Sequence, residues 1–166
     1  HYGRTRRADK AVRYLALAGD KSLRVYAVEE AHERFRRVVE LSEAVPGCAD
    51  DVFLADVLLA WARAYYYRKD NHGLVELQRY LPRVEALGDG RQLSLFLFWL
   101  GFAHVIGARG DAARPLLERA LAVGEALGDD ECVGFACMGL MWLYMLKAFG
   151  RVLAVHPDVV GIALRD

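Results

Sequence analysis

Apolar residues recur at helical spacing along most of this chain. In residues 110–129, GDAARPLLERALAVGEALGD, the positions Ala113, Leu117, Ala120, Leu121 and Gly124 follow at steps of four, three, one and three. That is one stripe of a 3.6-residue helix. Asp111 is the expected N-cap, because its carboxylate can accept the free amides of a first turn. Gly128 is the expected stop. The ending EALGD occurs at 85–89 and again at 125–129, forty residues apart, with Glu43-Ala44-Val45 as a looser earlier copy. A fixed period of this length points to stacked supersecondary units rather than one irregular globule.

The pattern divides the chain as follows. Residues 3–7 read as a loop, and a helix opens at Ala8 with Ala11, Tyr14, Leu15 and Ala18 on one side. Residues 20–26 form a short helix that can continue from it through Gly19. Val28–Ala44 is strongly amphipathic, with Ala31, Phe35, Val38 and Val39 as its stripe and Glu33/Arg37 and Arg36/Glu40 as outer pairs. Asp50 or Asp51 caps a helix that runs to Tyr67. Residues 71–87 form its partner, with a kink expected at Pro82. Residues 91–108 form an apolar helix, and Asp129 or Asp130 caps another over 131–148. Gly150 reads as a turn, and His156-Pro157-Asp158 as the entry to a last helix. The units are then 1–19 (a half unit, the second helix of an earlier pair), 20–47, 50–89, 91–129 and 130–166 (incomplete), all in one domain, 1–166.

Aligning the units by their endings brings like residues together. One slot in the second helix holds Ala31, Gly73 and Ala113, all small, and four residues on come Phe35, Leu77 and Leu117. In the first helix one slot holds Ala18, Ala60 and Leu100, and the next Gly19, Trp61 and Gly101. Small residues let helix axes approach, and large ones fill the groove beside them.

These slots resemble the tetratricopeptide repeat, TPR. The matching features are Leu100-Gly101 and Ala18-Gly19 in first helices, the small residue at Ala31, Gly73 and Ala113, and the pair Ala120-Leu121. The period of 40–42 exceeds the usual 34 of that family. HEAT and armadillo repeats share the longer period, but the Leu-Gly and Ala-Leu slots favour the TPR. His104 stands where an aromatic is common, and Trp61 replaces the glycine. The resemblance implies an all-α fold: a right-handed α-solenoid of antiparallel helix hairpins with a period of about 40 residues. The opening stretch, from His1 and Tyr2 through Lys10-Ala11-Val12 and Ala18-Gly19-Asp20 to the helix from Ala31 to Leu41, is also similar to the C-terminal repeat regions of large bacterial regulators. Those carry an AAA-type ATPase module, often with a class III adenylate or guanylate cyclase domain, and related repeats occur in LuxR-type regulators. The resemblance implies a non-catalytic interaction or regulatory segment of such a multidomain protein, and the chain reads as a piece excised from one.

Composition narrows the classes. Twenty-two basic and 22 acidic residues give no net charge at neutral pH. No global field therefore draws nucleic acid or anionic lipid. The one basic cluster, Arg4, Arg6, Arg7, Lys10 and Arg13, has few aromatics beside it and reads as a solvated face. Cys48, Cys132 and Cys137 fit no zinc spacing and read as reduced thiols, which with the lack of a visible signal peptide implies a cytoplasmic protein. The uncharged runs 92–108 and 132–146, 17 and 15 residues long, fall short of the roughly 20 a bilayer requires, so both are expected to be buried core helices and no membrane partner is expected.

Catalytic chemistry finds little support. There is no Gly-rich phosphate loop before Lys-Ser or Lys-Thr and no Gly-x-Ser-x-Gly elbow. His72 and Glu76 lie four apart without a third ligand, so no metal site and no cofactor are expected. His104 reads as a packed, hydrogen-bonded core residue. The Asp50-Asp51 and Asp129-Asp130 pairs read as helix caps. No catalytic residue is assigned.

What remains is the face that first helices present in tetratricopeptide arrays, where peptides bind. Carried over slot by slot, the resemblance implies Arg13, Asp20 and Arg24, then Leu58, Trp61, Tyr65 and Tyr66, then Leu95, Phe98, Phe102, Val105 and Ile106. The expected partner is a protein or peptide ligand, or another domain of the parent chain. A homodimer through the apolar helix 91–108 is a further expectation, since a large exposed apolar patch marks an interface. The competing reading wraps that helix inside the array. A second functional class is a small-molecule sensor, with an effector held near Trp61, Tyr65 and Phe98.

Overall fold

A computed structural model describes residues 2–155. Every regular element in it is helical, with no strand among the described residues. In order they are α1 (Tyr2–Arg24), α2 (Val28–Ala44), α3 (Asp51–Tyr67), α4 (Asn71–Glu76), a 3-10 turn (Leu77–Tyr80), α5 (Leu81–Ala86), α6 (Gly90–Ile106), α7 (Gly110–Leu127) and α8 (Asp130–Val155). The expected entry to a last helix at His156-Pro157-Asp158 lies outside the described residues.

Aspartates start four of these helices. Asp50 accepts from the Phe53 amide at 2.7 Å, Asp70 from Gly73 at 2.9 Å, and Asp89 from Gln92 at 3.1 Å. Asp129 accepts from the amides of both Glu131 and Cys132 at 3.1 Å. These bonds satisfy donors that a helix start leaves without partners. They also hold the Asp129 carboxyl below its ordinary range, the Cys132 amide contributing most and Arg91 next. Asp111 does not cap α7. The Arg109 carbonyl already accepts from Ala112 and Ala113, so the helix begins before Asp111, which lies in its first turn.

The turns repeat as closely as the caps. Tyr26, Lys69 and Ala108 have positive φ of 56°, 58° and 57°, and follow at 43 and 39 residues. The next amide bonds back each time: Ala27 to Ser22, Asp70 to Tyr65, and Arg109 to His104, at 2.9, 3.0 and 2.8 Å. A left-handed residue other than glycine costs roughly 1–2 kcal/mol. Three at matched positions mark one turn used three times. Gly47, Gly88 and Gly128 supply the other positive-φ turns, 41 and 40 residues apart. Gly128 is the C-cap of α7, as its sequence implies.

Neighbouring helices pack in succession. α1 lies along α2, α6 along α7 and α7 along α8, while α3 meets α6 and α6 meets α8. The buried apolar residues form two clusters, one running from Ala8 to Ala103 and one from Leu97 to Leu143. Two glycines let the paired helices approach closely. A β-carbon on Gly19 would lie 2.7 Å from the Phe35 ring, and one on Gly101 2.7 Å from Leu117.

Several boundaries differ from the sequence reading. α1 starts at Tyr2 rather than Ala8 and passes unbroken through Gly19, so residues 3–7 are helix and the expected boundary at 19/20 falls inside an element. Packed against α2, α1 is the first helix of a pair and not the second of an earlier one. Residues 71–87 are not one kinked helix. The chain tightens into a 3-10 turn before Pro82, which then sits in the first turn of α5. Proline lacks the amide that would bond back to Gln78 and crowds that carbonyl, so the disruption falls on the preceding turn. Gly150 is no turn, since α8 continues through it.

The two uncharged runs also part ways. α6 is buried as expected, with Phe96, Leu97, Phe98 and Leu100 at most 1% exposed. α8 is not a buried core helix. Among its described residues only Cys132, Ala136, Gly139 and Leu143 are fully buried, while Met141, Tyr144 and Phe149 are 57, 51 and 64% exposed. By length and composition, Asp130–Arg151 is long and apolar enough to cross a membrane.

Candidate functional site

A groove of about 600 Å³ crosses α1, α3, α6 and α8. On α1, Arg13, Ala16, Leu17 and Asp20 line it, and on α3 Phe53, Asp56, Ala60 and Arg63. Steps of three and four put each set on one helix face. α6 adds Leu95 and Trp99, and α8 adds Glu131 and Phe135. Ala16 and Ala60 are small and buried, which gives the groove its depth. Phe53, Trp99 and Phe135 are half-buried and form its apolar walls.

Most charges around the groove are already engaged. Arg13 donates to Asp9 at 2.8 Å, lies 3.9 Å from Asp50 and covers the Phe53 ring at 5.4 Å. Asp56 accepts from the Gln92 amide nitrogen at 2.7 Å. Glu131 and Asp129 both pair with Arg91. Asp20 and Arg63 differ, since no ion pair engages either among the described residues. Both also line an adjoining hollow of about 350 Å³ with Arg24, Tyr26 and Tyr67. Among the described residues, the groove therefore offers apolar walls with one free carboxylate and one free guanidinium where the two hollows meet.

The residues expected on the binding face separate into three groups. Arg13, Asp20 and Leu95 line the groove, and Arg24 lines the adjoining hollow. Leu58, Trp61, Phe98, Phe102 and Val105 are core residues, 1, 4, 1, 8 and 3% exposed, and present no open face. Tyr65 is half-buried, and Tyr66 and Ile106 are exposed elsewhere. Tyr66 rests against Trp99 and Phe102, and Ile106 lines a third hollow of about 440 Å³ beside Leu143 and Phe149. Most of α6 is buried, so what residues 91–108 present toward the expected homodimer is Leu95 and Trp99 in the groove and Ile106 beside the third hollow.

The slot alignment missed Leu17, Asp56, Ala60, Arg63, Trp99, Glu131 and Phe135. A usable signal was present in α3. After its first turn, Asp56 and Arg63 are its only charges, seven residues apart and so on one face. Charged residues on an otherwise apolar helix mark its solvent side.

The aromatic cluster expected to hold an effector is packed solid. Trp61 stacks on Tyr65 with centroids 5.2 Å apart, and its indole N–H donates to His32 Nδ1 at 3.0 Å. Phe98 lies against Phe102 at 5.4 Å and Phe135 at 5.0 Å. Burial, and then nearby Arg68, push the His32 pKa below its ordinary value.

Other candidates resolve simply. His72 and Glu76 are exposed and 3.8 Å apart, and no group of three metal-type ligands occurs among the described residues. His104 is buried, but its Nδ1 has no hydrogen-bond partner among the described residues. The three cysteines are free thiols, and burial raises the pKa of Cys48 and Cys132. No family model matches the chain, and no curated protein matches its sequence.

Proposed function

We propose that this chain is a TPR-like interaction module, a right-handed solenoid of helix hairpins whose first helices hold an extended peptide. The observation that carries the reading is the groove across α1, α3, α6 and α8. Its walls are Phe53, Trp99 and Phe135, and its unengaged charges are Asp20 and Arg63. The repeated turns at Tyr26, Lys69 and Ala108 support a solenoid. Each unit in such an array buries its apolar side only against its neighbours. Apolar pockets fix side chains, and the two charges fix direction along the groove. On the resemblance of its opening stretch, the module belongs to a multidomain ATP-binding regulator of cytoplasmic signalling, adenylate cyclase-like or transcriptional. Ligand binding would bias the attached domain by favouring one of its states. The reading assigns no catalysis to this segment.

Selection from a random dodecapeptide display library on the immobilised chain tests this. Selected peptides should lose at least roughly tenfold in affinity for Trp99→Ala and Arg63→Glu, as truncated or reversed interface anchors do. Peptides that bind both variants as tightly as the parent chain, or a selection that yields none, would overturn it. An effector site at Trp61, Tyr65 and Phe98 would require that filled cluster to open, so it is the weaker reading.

A further inference from the structure

The groove and the adjoining hollow form one trough between α1 and α3, joined where Asp20 and Arg63 line both. Arg13 covers the Phe53 ring at 5.4 Å near the start of α3, and Tyr26 lies edge-on to Tyr67 at 5.6 Å at its end. The two helices therefore run side by side in the same direction, with α3 about forty residues behind α1. At that offset Asp20 stands level with Ala60, and Arg24 with Ala64. Asp56 and Arg63 lie on the groove face of α3, and Asp20 and Arg24 on the facing side of α1. The two carboxylates thus occupy the half of the trough nearer the helix starts, and the two guanidiniums the half nearer the ends. No ion pair engages any of the four among the described residues. Asp56 accepts from the neutral amide of Gln92, which leaves its charge uncompensated. The other charges of the trough are already matched, Arg13 by Asp9 and Glu131 by Arg91.

We propose that the trough selects its peptide by charge spacing: one basic and one acidic side chain three residues apart, with apolar residues between them. This rests on the reading of the groove as a peptide site and names the class of peptide. The spacing follows from the helix. Asp56 and Arg63 are seven residues apart, roughly 10 Å of rise at 1.5 Å per residue. An extended chain covers that in three steps of roughly 3.3 Å. Residues three apart on an extended chain point to opposite sides, and each wall of the trough offers one charge of each sign. A base beside Asp20 therefore sets the acid beside Arg63, and a base beside Asp56 sets it beside Arg24. The apolar residues between reach Trp99 and Phe135. Each half of the trough holds two like charges, whose repulsion an opposite charge between them relieves. A peptide with two acids or two bases instead sets one of them against its own sign.

Synthetic peptides, acetylated and amidated so that no terminal charge contributes, test this by fluorescence anisotropy against the full chain. Those with Lys and Glu three apart around Leu or Phe should bind at least roughly tenfold tighter than analogues with Gln in both places. They should also outbind isomers that hold the two charges adjacent or six apart. Replacing the peptide's Glu by Gln should cost less than about twofold once Arg24→Met and Arg63→Met are both present, as a mutant cycle requires of a direct pair. Asp20→Asn with Asp56→Asn should do the same for the peptide's Lys. Asp56, Arg63 and Arg24 are exposed and Asp20 half-buried, so an unchanged melting temperature separates lost binding from lost folding. Peptides that bind and need Trp99, yet gain nothing from the charge pair or bind equally at every spacing, would overturn the proposal and leave the groove reading standing. So would a peptide with a single acid or phosphoserine that binds as tightly as the pair. No binding by any of these peptides, together with none from the display library, would overturn both.

Discussion

The α6–α7 pair and the α3–α4–α5 pair occupy the same register, yet only the first is tightly closed. In α6–α7, Gly101 lets the axes approach until Leu117 fills the space, and Leu117 is held from the other side by Gly139 of α8. The α1–α2 pair works the same way through Gly19 and Phe35. In the middle unit Trp61 stands in the glycine slot. Its indole reaches back to His32 of α2, and Tyr65 stacks on it and presses on Gly73, where a β-carbon would lie 2.3 Å from the ring. The second helix there is interrupted and leans on α6 as well as α3. One small-to-large exchange thus moves the contacts of a unit from its own hairpin to its neighbours.

Truncating the slot residues should show the difference most strongly. Leu117 is fully buried between two glycines, so its surroundings cannot collapse into the space it leaves. Leu117→Ala should cost about 3–5 kcal/mol, near the top of the range for buried leucine, and Phe35→Ala a similar amount. Leu77 is also buried but lies in the 3-10 turn, where the chain can relax. Leu77→Ala should cost about 2–3 kcal/mol. Urea unfolding at constant m-value measures all three, and equal losses would erase the distinction.

Glycine substitutions give the next largest effect, and with opposite signs. Gly101→Ala gains up to about 1 kcal/mol of helix preference. It also drives a methyl to 2.7 Å from Leu117, a clash that costs about 1–3 kcal/mol and leaves a net loss. Gly150 lies within α8 with nothing within 4 Å of a β-carbon, so Gly150→Ala should stabilise by about 0.5–1 kcal/mol. Thermal unfolding of the two variants should therefore shift in opposite directions.

Acid should single out the middle unit. His32 accepts from Trp61 through Nδ1, and its pKa lies below the ordinary 6.5 because burial, then Arg68, disfavour the cation. The unfolded chain therefore binds the proton first. Stability from this group is complete above pH 6.5 and is lost as pH falls below it. His104, lowered by burial and then Arg109, contributes with the same sign from α6. The window from 6.5 to about 5 lies above the ordinary carboxylate range, so it isolates the histidines. His32→Gln keeps an acceptor for the indole and should flatten the fall in melting temperature across that window. An unchanged slope would assign the whole effect to His104.

The helical periodicity, the Asp50 and Asp129 starts and the Gly128 stop were legible in the sequence because they are local. Apolar spacing reports which residues share a face, and caps depend on three or four neighbours. The groove was legible only in part, because a slot alignment fixes position along a helix but not rotation about it. The alignment puts Leu58, Trp61 and Phe98 on the open face, whereas Asp56, Ala60 and Trp99 occupy it. In α6 no charged side marks the rotation, since even the side that opens on the groove is apolar, with Leu95 and Trp99. α8 misled for the opposite reason. Its composition resembles that of α6, and burial depends on partners that composition does not record.

The smallest effect bears on what interrupts the second helix of the middle unit. Two causes coincide there: Pro82, which cannot bond back to Gln78, and the Trp61–Tyr65 stack pressing on Gly73. Pro82 is exposed and sits in the first turn of α5, where proline is well tolerated. Pro82→Ala should therefore change stability by less than about 1 kcal/mol, since the site already accommodates either residue. If the missing amide alone causes the 3-10 turn, residues 77–80 should relax to α geometry, with a gain of about one turn in far-UV ellipticity. Amide exchange at Leu81 should then slow, and the new amide at position 82 should be protected. If the ellipticity stays fixed, the stack is the cause, and the aromatic in the glycine slot is enough to break a helix in the next element of the chain.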